Sequence, residues 1–107
     1  MAWIMLVVAG LLEVVWSLAM KQSHGFTRLV PTLVTLVTMV ASFALLAAAM
    51  KSLPLGTAYT IWTGIGAIGA FTVGIFVLGE AATPLRLLAA ALILSGLVLM
   101  KVSTGDA

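Results

Sequence analysis

Four apolar runs, each close to the length of a membrane-spanning helix, occupy most of this 107-residue sequence. They cover residues 2–20, about 29–50, about 56–78 and about 84–100. A helix needs roughly 20 apolar residues to cross the hydrocarbon core of a bilayer. Hydrophobic residues make up 64% of the chain and charged residues 7%, which leaves too little polar surface for a water-soluble domain. The sequence therefore predicts an all-α membrane protein, a single domain over residues 1–107 with four transmembrane helices.

The few polar and charged residues of the chain exclude several classes of site. The chain has no cysteine, which rules out disulfides and thiolate metal sites, and it has one histidine and three acidic residues. We therefore expect no metal and no cofactor. The five basic residues are scattered singly, which does not favour a nucleic-acid partner. Because little chain remains outside the runs, we expect the function to lie inside the lipid bilayer, and we do not expect an enzyme.

The basic residues are almost evenly divided between the two sides of the membrane. With four spans, Lys51 and Lys101 lie on one side, and Lys21, Arg28 and Arg86 lie on the other. This is a very weak bias for a protein whose orientation follows the positive charges of its loops. One interpretation is that a small protein simply carries few charges. The other is dual topology, in which the same chain inserts in both orientations.

Four short helices enclose little interior of their own, so we expect an oligomer. In the fourth run, Ala91, Ser95 and Gly96 are small residues at close spacing. Small residues let helix backbones approach closely in lipid, which favours association. This pattern predicts a dimer contact on the fourth helix, although small residues also serve packing within one protomer.

Glu13 is the one charged residue near the middle of a run. An ionised acid there costs on the order of 2.5–3.5 kcal/mol on insertion scales. Lys21 is about 12 Å away along the helix, too far for direct pairing, and the other basic residues stand at helix ends. Glu13 is therefore either protonated or paired with a cation from outside, which is the chemistry of an antiporter. The alternative is a protonated glutamate that only hydrogen-bonds across a helix interface.

Residues on the same face of the first helix support a binding role for Glu13. Gly10 and Trp16 are each three residues from Glu13 and share its face. We expect Gly10 to leave space beside the carboxylate, and Trp16 to offer an indole donor and an aromatic wall.

The second and third runs add polar and aromatic groups at helical spacing. Thr35, Thr38 and Ser42 form a hydroxyl stripe on the second run, in which the threonines are expected to bond their own backbone. Tyr59 and Trp62 share a face of the third run. Paired aromatic rings beside an anion are suited to an organic cation, although both residue types are also common at the membrane interface. Trp62 lies too deep for that interfacial role.

The glycines of "TGIGAIGA" lie inside the third run and do not form a phosphate-binding loop, because no strand precedes them. Two interpretations remain for Gly64, Gly66 and Gly69. They either allow close helix packing or loosen the helix so that it bends between two states. Alternating access needs an element that bends or rocks.

Three segments, "AGLLEVVWSLAMKQSHGFTRL", "LPLGTAYTIWTGIGAIG" and "SGLVLMK", resemble the small multidrug resistance family, and the resemblance covers essentially the whole chain. "EVVWSLAMK" and "GFTRL" resemble its guanidinium-exporter subtype. The resemblance implies an antiparallel, dual-topology homodimer in the bacterial inner membrane. It also implies proton-coupled export of guanidinium ion from a central site shared by two copies of Glu13.

The resemblance also assigns roles to individual positions. It implies that Glu13 binds both proton and substrate, and that the third helix bends at Gly64 and Gly66. It places the dimer contact on the fourth helix, and Lys101 matches a basic residue typical of the subtype. The residues that it implies to line the site are Gly10, Trp16, Ser42, Tyr59 and Trp62.

Three rival interpretations stay open. An exporter of bulkier quaternary ammonium compounds would share the fold. It is disfavoured by chemistry, because guanidinium has N–H donors that fit carboxylates and quaternary ammonium has none. A non-transporting membrane subunit would use Glu13 only as a buried hydrogen-bonding group. An obligate heterodimer is disfavoured by the nearly balanced charges, since paired forms need opposite, fixed orientations.

Overall fold

A computed structural model of the protein describes residues 1–104. Its four helices are α1 (Ala2–Gln22), α2 (Leu29–Ala49), α3 (Leu55–Phe76) and α4 (Pro84–Thr104). Each is long and apolar enough to cross a bilayer, so the prediction of four long apolar helices is confirmed. The largest difference from the predicted bounds is at the end of α4, which continues past residue 100. Residues 105–107 of the predicted domain lie outside the described part of the chain.

Two helices begin at or next to a proline, and a serine follows the end of α1. Pro84 is the first residue of α4 and Pro54 is the N-cap of α3, positions at which the missing N–H costs little. Ser23 follows the end of α1, where its hydroxyl donates to the carbonyl of Met20 at 2.7 Å and accepts from the N–H of Phe26 at 3.0 Å. Short connections of this kind reverse the direction of the chain between one helix and the next.

The buried core lies towards one end of the first three helices. α1 packs against both α2 and α3. The buried apolar residues come from the first half of α1, the last half of α2, the connection between α2 and α3, and the first half of α3. The large members are Leu6, Leu46, Leu53, Ile61 and Trp62. Glu13 lies just past this core, where the packing of α1 on α3 opens towards the other membrane face.

α4 contributes no buried residue to this core, although Leu97 and Met100 pack against it. It packs along α3, and between Pro84 and Ser103 none of its residues is buried. Near its end, the Nζ of Lys101 lies 4.5 Å from the ring centroid of Trp3 on α1, a cation–π distance. The described Cα atoms fill a slab of 42 × 35 × 16 Å. Most residues of α4 are exposed.

Candidate functional site

The carboxylate of Glu13, near the middle of α1, packs directly against Gly66 of α3. A Cβ atom added at Gly66 would overlap the carboxylate, so glycine is what makes this close approach possible. Gly66 is buried and lies in the middle of α3. α1 and α3 are therefore in contact at Glu13, the acidic residue nearest the middle of a span.

Oε1 of Glu13 is buried and has no hydrogen-bond partner within residues 1–104. The ion pair found in the same residues joins Glu80 to Arg86 and leaves Glu13 out. No cluster of three metal-ligating His, Asp or Glu side chains occurs among them either. A buried carboxylate without a partner is unfavourable as an anion. The protomer supplies no partner for Oε1 among the described residues, and the predicted role of Glu13 in binding a proton or a cation stays a prediction.

Nε1 of Trp16 is the other buried side-chain donor or acceptor that lacks a partner in the described chain. Trp16 follows Glu13 by three residues, so the two side chains share one face of α1. This face of α1 therefore carries one hydrogen-bond acceptor, Oε1 of Glu13, and one donor, Nε1 of Trp16, that have no partner among the described residues. Polar groups left unpaired inside a membrane protein are candidates for contact with a ligand or another subunit.

Ser42 links all three packed helices. Its Oγ donates a 2.7 Å hydrogen bond to the carbonyl oxygen of Ala9 on α1 and accepts a 3.0 Å hydrogen bond from Nε1 of Trp62 on α3. Ser42 is fully buried and Trp62 is 6% exposed. Buried hydrogen-bond chains of this kind fix the orientation of their members. The indole of Trp62 is thus held by a hydrogen bond, whereas Nε1 of Trp16 has no such partner among the described residues.

Four aromatic rings form a row across the three helices. The ring centroid of Phe43 on α2 lies 6.4 Å from that of Trp16 and 5.6 Å from that of Trp62, and Tyr59 lies a further 5.6 Å from Trp62. Tyr59 is 53% exposed, so this end of the row is open. Sequence reasoning does not single out Phe43, because one more apolar residue on an apolar helix carries no signal. Its position next to Ser42 is the one available clue.

The glycines near the site have different surroundings. The space expected beside Gly10 is taken by Ile65 of α3, whose Cγ2 would lie 2.5 Å from an added Cβ. Gly64 is closed in the same way by Leu97 of α4. Gly10 and Gly64 therefore allow close helix packing, and Gly66 is the glycine that contacts the carboxylate. The bend at Gly64 and Gly66 stays a prediction.

Comparison with known proteins identifies the family of this chain. The sequence model of the family described as Small Multidrug Resistance protein matches residues 1–94. The chain belongs to the small multidrug resistance family. The resemblance drawn from the sequence segments is confirmed. With four helices of membrane-spanning length, this small multidrug resistance protein is a multi-pass protein of the bacterial inner membrane.

Similar small multidrug resistance proteins carry a more specific name. The Guanidinium exporter of Escherichia coli (strain K12) is 59% identical over 104 residues, which cover 97% of this chain and 99% of that protein. The Guanidinium exporter of Shigella flexneri matches to the same extent, and that of Citrobacter freundii is 55% identical over 104 residues with the same coverage. These relatives are named as exporters, which are transporters and not enzymes.

The hydroxyl groups on α2 of this small multidrug resistance protein make two kinds of hydrogen bond. Oγ1 of Thr35 donates to the carbonyl of Pro31 at 2.8 Å, and Oγ1 of Thr38 donates to that of Val34 at 2.6 Å. The prediction that the threonines bond their own backbone is confirmed. Ser42, by contrast, reaches another helix and belongs with the aromatic row.

The small residues of α4 are exposed. The Oγ of Ser95 donates to the carbonyl of Ala91 at 2.8 Å, within its own helix. A Cβ added at Gly96 would meet nothing within 4 Å among the described residues. This face of the small multidrug resistance protein is therefore not used inside the protomer, and its contact with a second copy stays a prediction.

Proposed function

We propose that this protein is a proton-coupled antiporter that exports guanidinium-type cations through a site formed by two Glu13 carboxylates of an antiparallel homodimer. The observation that carries the proposal is the buried, unpartnered Oε1 of Glu13, packed against Gly66. A carboxylate in this environment is stable when it is protonated or when a cation lies beside it. These are the two loaded states of a cation–proton antiporter.

The chemistry around Glu13 favours a planar cation with N–H donors. Guanidinium pairs with carboxylates through parallel N–H···O bonds, and its flat face stacks on aromatic rings. The row of Trp16, Phe43, Trp62 and Tyr59 offers such rings. A quaternary ammonium ion has no donors, so it would leave the carboxylate oxygens without hydrogen bonds. The Guanidinium exporters at 55–59% identity support the same substrate class for this chain.

The homodimer is supported by what one protomer leaves open. Glu13 is only partly buried, α4 has no buried residue between Pro84 and Ser103, and small side chains lie on the exposed face of α4. A second copy inserted in the opposite orientation would cover α4 and bring a second Glu13 towards the first. The nearly balanced basic residues on the two sides permit both orientations.

Competition for the same carboxylates couples the two fluxes. A proton and a guanidinium ion both need the Glu13 oxygens, so each stabilises a complex from which the other is excluded. The dimer can then reorient when it carries protons or when it carries the cation. Inward proton movement thereby drives outward cation movement.

Purified protein reconstituted in liposomes tests this proposal through the charge movement that follows addition of guanidinium. We expect a current in the unmodified protein and none in Glu13→Gln. The matched control is Asp106→Asn, which removes a carboxylate outside the four apolar runs and should leave the current intact. A current that survives Glu13→Gln would overturn the proposed role of Glu13.

Three further measurements separate the rivals. Stronger signals with tetrapropylammonium than with guanidinium would support a quaternary ammonium exporter. Reporters fused to the C-terminus give the orientation in cells, and a single orientation would rule out the self-sufficient antiparallel homodimer. Activity of a host complex that persists in Glu13→Gln would support a non-transporting subunit.

A further inference from the structure

The side chain of Arg86, at the start of α4, places its guanidinium group beside the end of α3. Nη2 of Arg86 lies 3.7 Å from Oε1 of Glu80, and Cζ of Arg86 lies 5.2 Å from the ring centroid of Phe71. The group therefore sits beside a carboxylate and over an aromatic ring. These are the two partners that hold guanidinium ions in proteins.

Glu80 is held in place by contacts that do not involve Arg86. Its N–H donates to the carbonyl oxygen of Gly74 at 2.9 Å, and its carboxylate packs directly against Gly74, where a Cβ would overlap Oε1. Gly79, with φ of 71°, turns the chain back towards α3. The acid is thus oriented by the end of α3, with or without an occupant.

Arg86, by comparison, is loosely held. The side chains of Arg86 and Glu80 are 41% and 43% exposed, and exposed ion pairs of this kind are weak. The backbone N–H of Arg86 is bonded to Oγ1 of Thr83 at 3.2 Å, so the start of α4 keeps its cap when the side chain of Arg86 moves away. A free guanidinium ion can therefore displace the side chain without unfolding the helix.

A cavity connects this corner with the level of Glu13. It has a volume of about 320 Å³ and lies between α1 and α3. Glu80, Phe71 and the cationic Lys21 are among its lining residues, whereas Arg86 lies outside it. Val14 and Ala67 also line it, and they are the chain neighbours of Glu13 and Gly66. Glu80 thus lines the same cavity as the residues next to Glu13 and Gly66.

We propose that Glu80 and Phe71 form a peripheral binding site for guanidinium-type cations, which Arg86 occupies with its own guanidinium in the absence of free ligand. The inference takes the class of ligand from the proposed function, but binding at this corner does not require Glu13. The peripheral site and the central site can therefore be tested separately.

The test is a titration of the ¹⁵N-labelled full chain with guanidinium chloride at constant ionic strength, in the Glu13→Gln background. We expect saturable shifts of the backbone amides of Phe71, Gly74 and Glu80. Removal of the internal competitor in Arg86→Gln should lower the half-saturating concentration roughly three- to tenfold, because apparent affinity scales with the fraction of sites that are free. Arg28→Gln removes the same charge elsewhere and should leave the titration unchanged.

Two substitutions complete the test. Glu80→Gln should abolish the saturable shifts, and Phe71→Leu, which keeps apolar volume but removes the ring, should raise the half-saturating concentration. Absence of saturable shifts in a folded Glu13→Gln/Arg86→Gln protein, or shifts that persist in Glu80→Gln, would overturn the peripheral site. Failure of the proposed transport function would instead appear as absence of current in liposomes, with the amide shifts still present.

Discussion

Glu13 and Gly66 are in direct contact, with no side-chain atom of α3 between the carboxylate and the backbone of that helix. Oε1 is the carboxylate oxygen nearest Gly66, so a cation that binds to Oε1 has to fit beside the backbone of α3. Under the proposed function, cation binding therefore acts on α3 next to Gly64 and Gly66, where the bend is predicted. In that proposal, the contact is the physical link between occupancy of Glu13 and bending of α3.

Gly66→Ala should therefore impair transport. The added methyl group overlaps the Glu13 carboxylate, and overpacking of this kind costs about 1–3 kcal/mol. If this strain falls on the cation-bound state, the half-saturating guanidinium concentration in liposome currents should rise roughly five- to a hundredfold, because each step of about 1.4 kcal/mol is tenfold.

The matched control for this substitution is Gly56→Ala, also on α3. A Cβ at Gly56 would meet nothing within 4 Å in the described chain, and alanine is the better helix former. Its currents should equal those of the unmodified protein. Equal effects of the two alanine substitutions would mean that contact with Glu13 is not what matters at Gly66.

Ser42→Ala should destabilise the protein, because it removes the acceptor of the Trp62 indole and the donor to the Ala9 carbonyl. A buried polar group left without a partner costs about 1–3 kcal/mol. Thermal unfolding in detergent, followed by tryptophan fluorescence, should show a lower midpoint. Ser103→Ala should not, because that exposed hydroxyl bonds only the carbonyl of Met100 in its own helix. An unchanged midpoint for Ser42→Ala would mean that the chain of hydrogen bonds contributes little.

The parts of the site that the sequence predicts are those that depend on a single helix. The shared face of Glu13 and Trp16 follows from their spacing of three residues, and the backbone bonds of Thr35 and Thr38 follow from hydroxyl chemistry. Contacts between helices depend on where the helices cross, and packing across the interface decides this.

Two contacts illustrate what such crossing points add. The bond from Ser42 to Ala9 requires the register of α2 against α1, and the filling of the Gly10 space by Ile65 requires the register of α3 against α1. Phe43 enters the aromatic row for the same reason. None of these registers is encoded in the spacing of residues along one helix.

The concentration of guanidinium needed for half-maximal current should rise as the pH falls. Protons and guanidinium compete for Glu13 in the proposed mechanism, so protonation removes the carboxylate that the cation needs. In the range where the protonated form predominates, each tenfold rise in proton concentration should raise the half-saturating concentration up to about tenfold per displaced proton. The measurement is a series of liposome currents at constant ionic strength and equal pH on both sides. A half-saturating concentration that does not change with pH would contradict the competition.

Gly96→Leu should weaken the dimer and leave the protomer folded. Within the described residues nothing lies within 4 Å of a Cβ at Gly96, so a larger side chain is tolerated inside the protomer but blocks close approach of a second α4. In liposomes at low protein density, we expect the fraction of covalently crosslinked dimer to fall at least about tenfold, for a loss of about 1.4 kcal/mol or more. Gly56→Leu makes the same change at another open position, outside the predicted dimer contact, and should crosslink as the unmodified protein does. Circular dichroism should show the same helix content in all three proteins. If the two leucine variants dimerise equally well, the small residues of α4 do not form the contact between subunits.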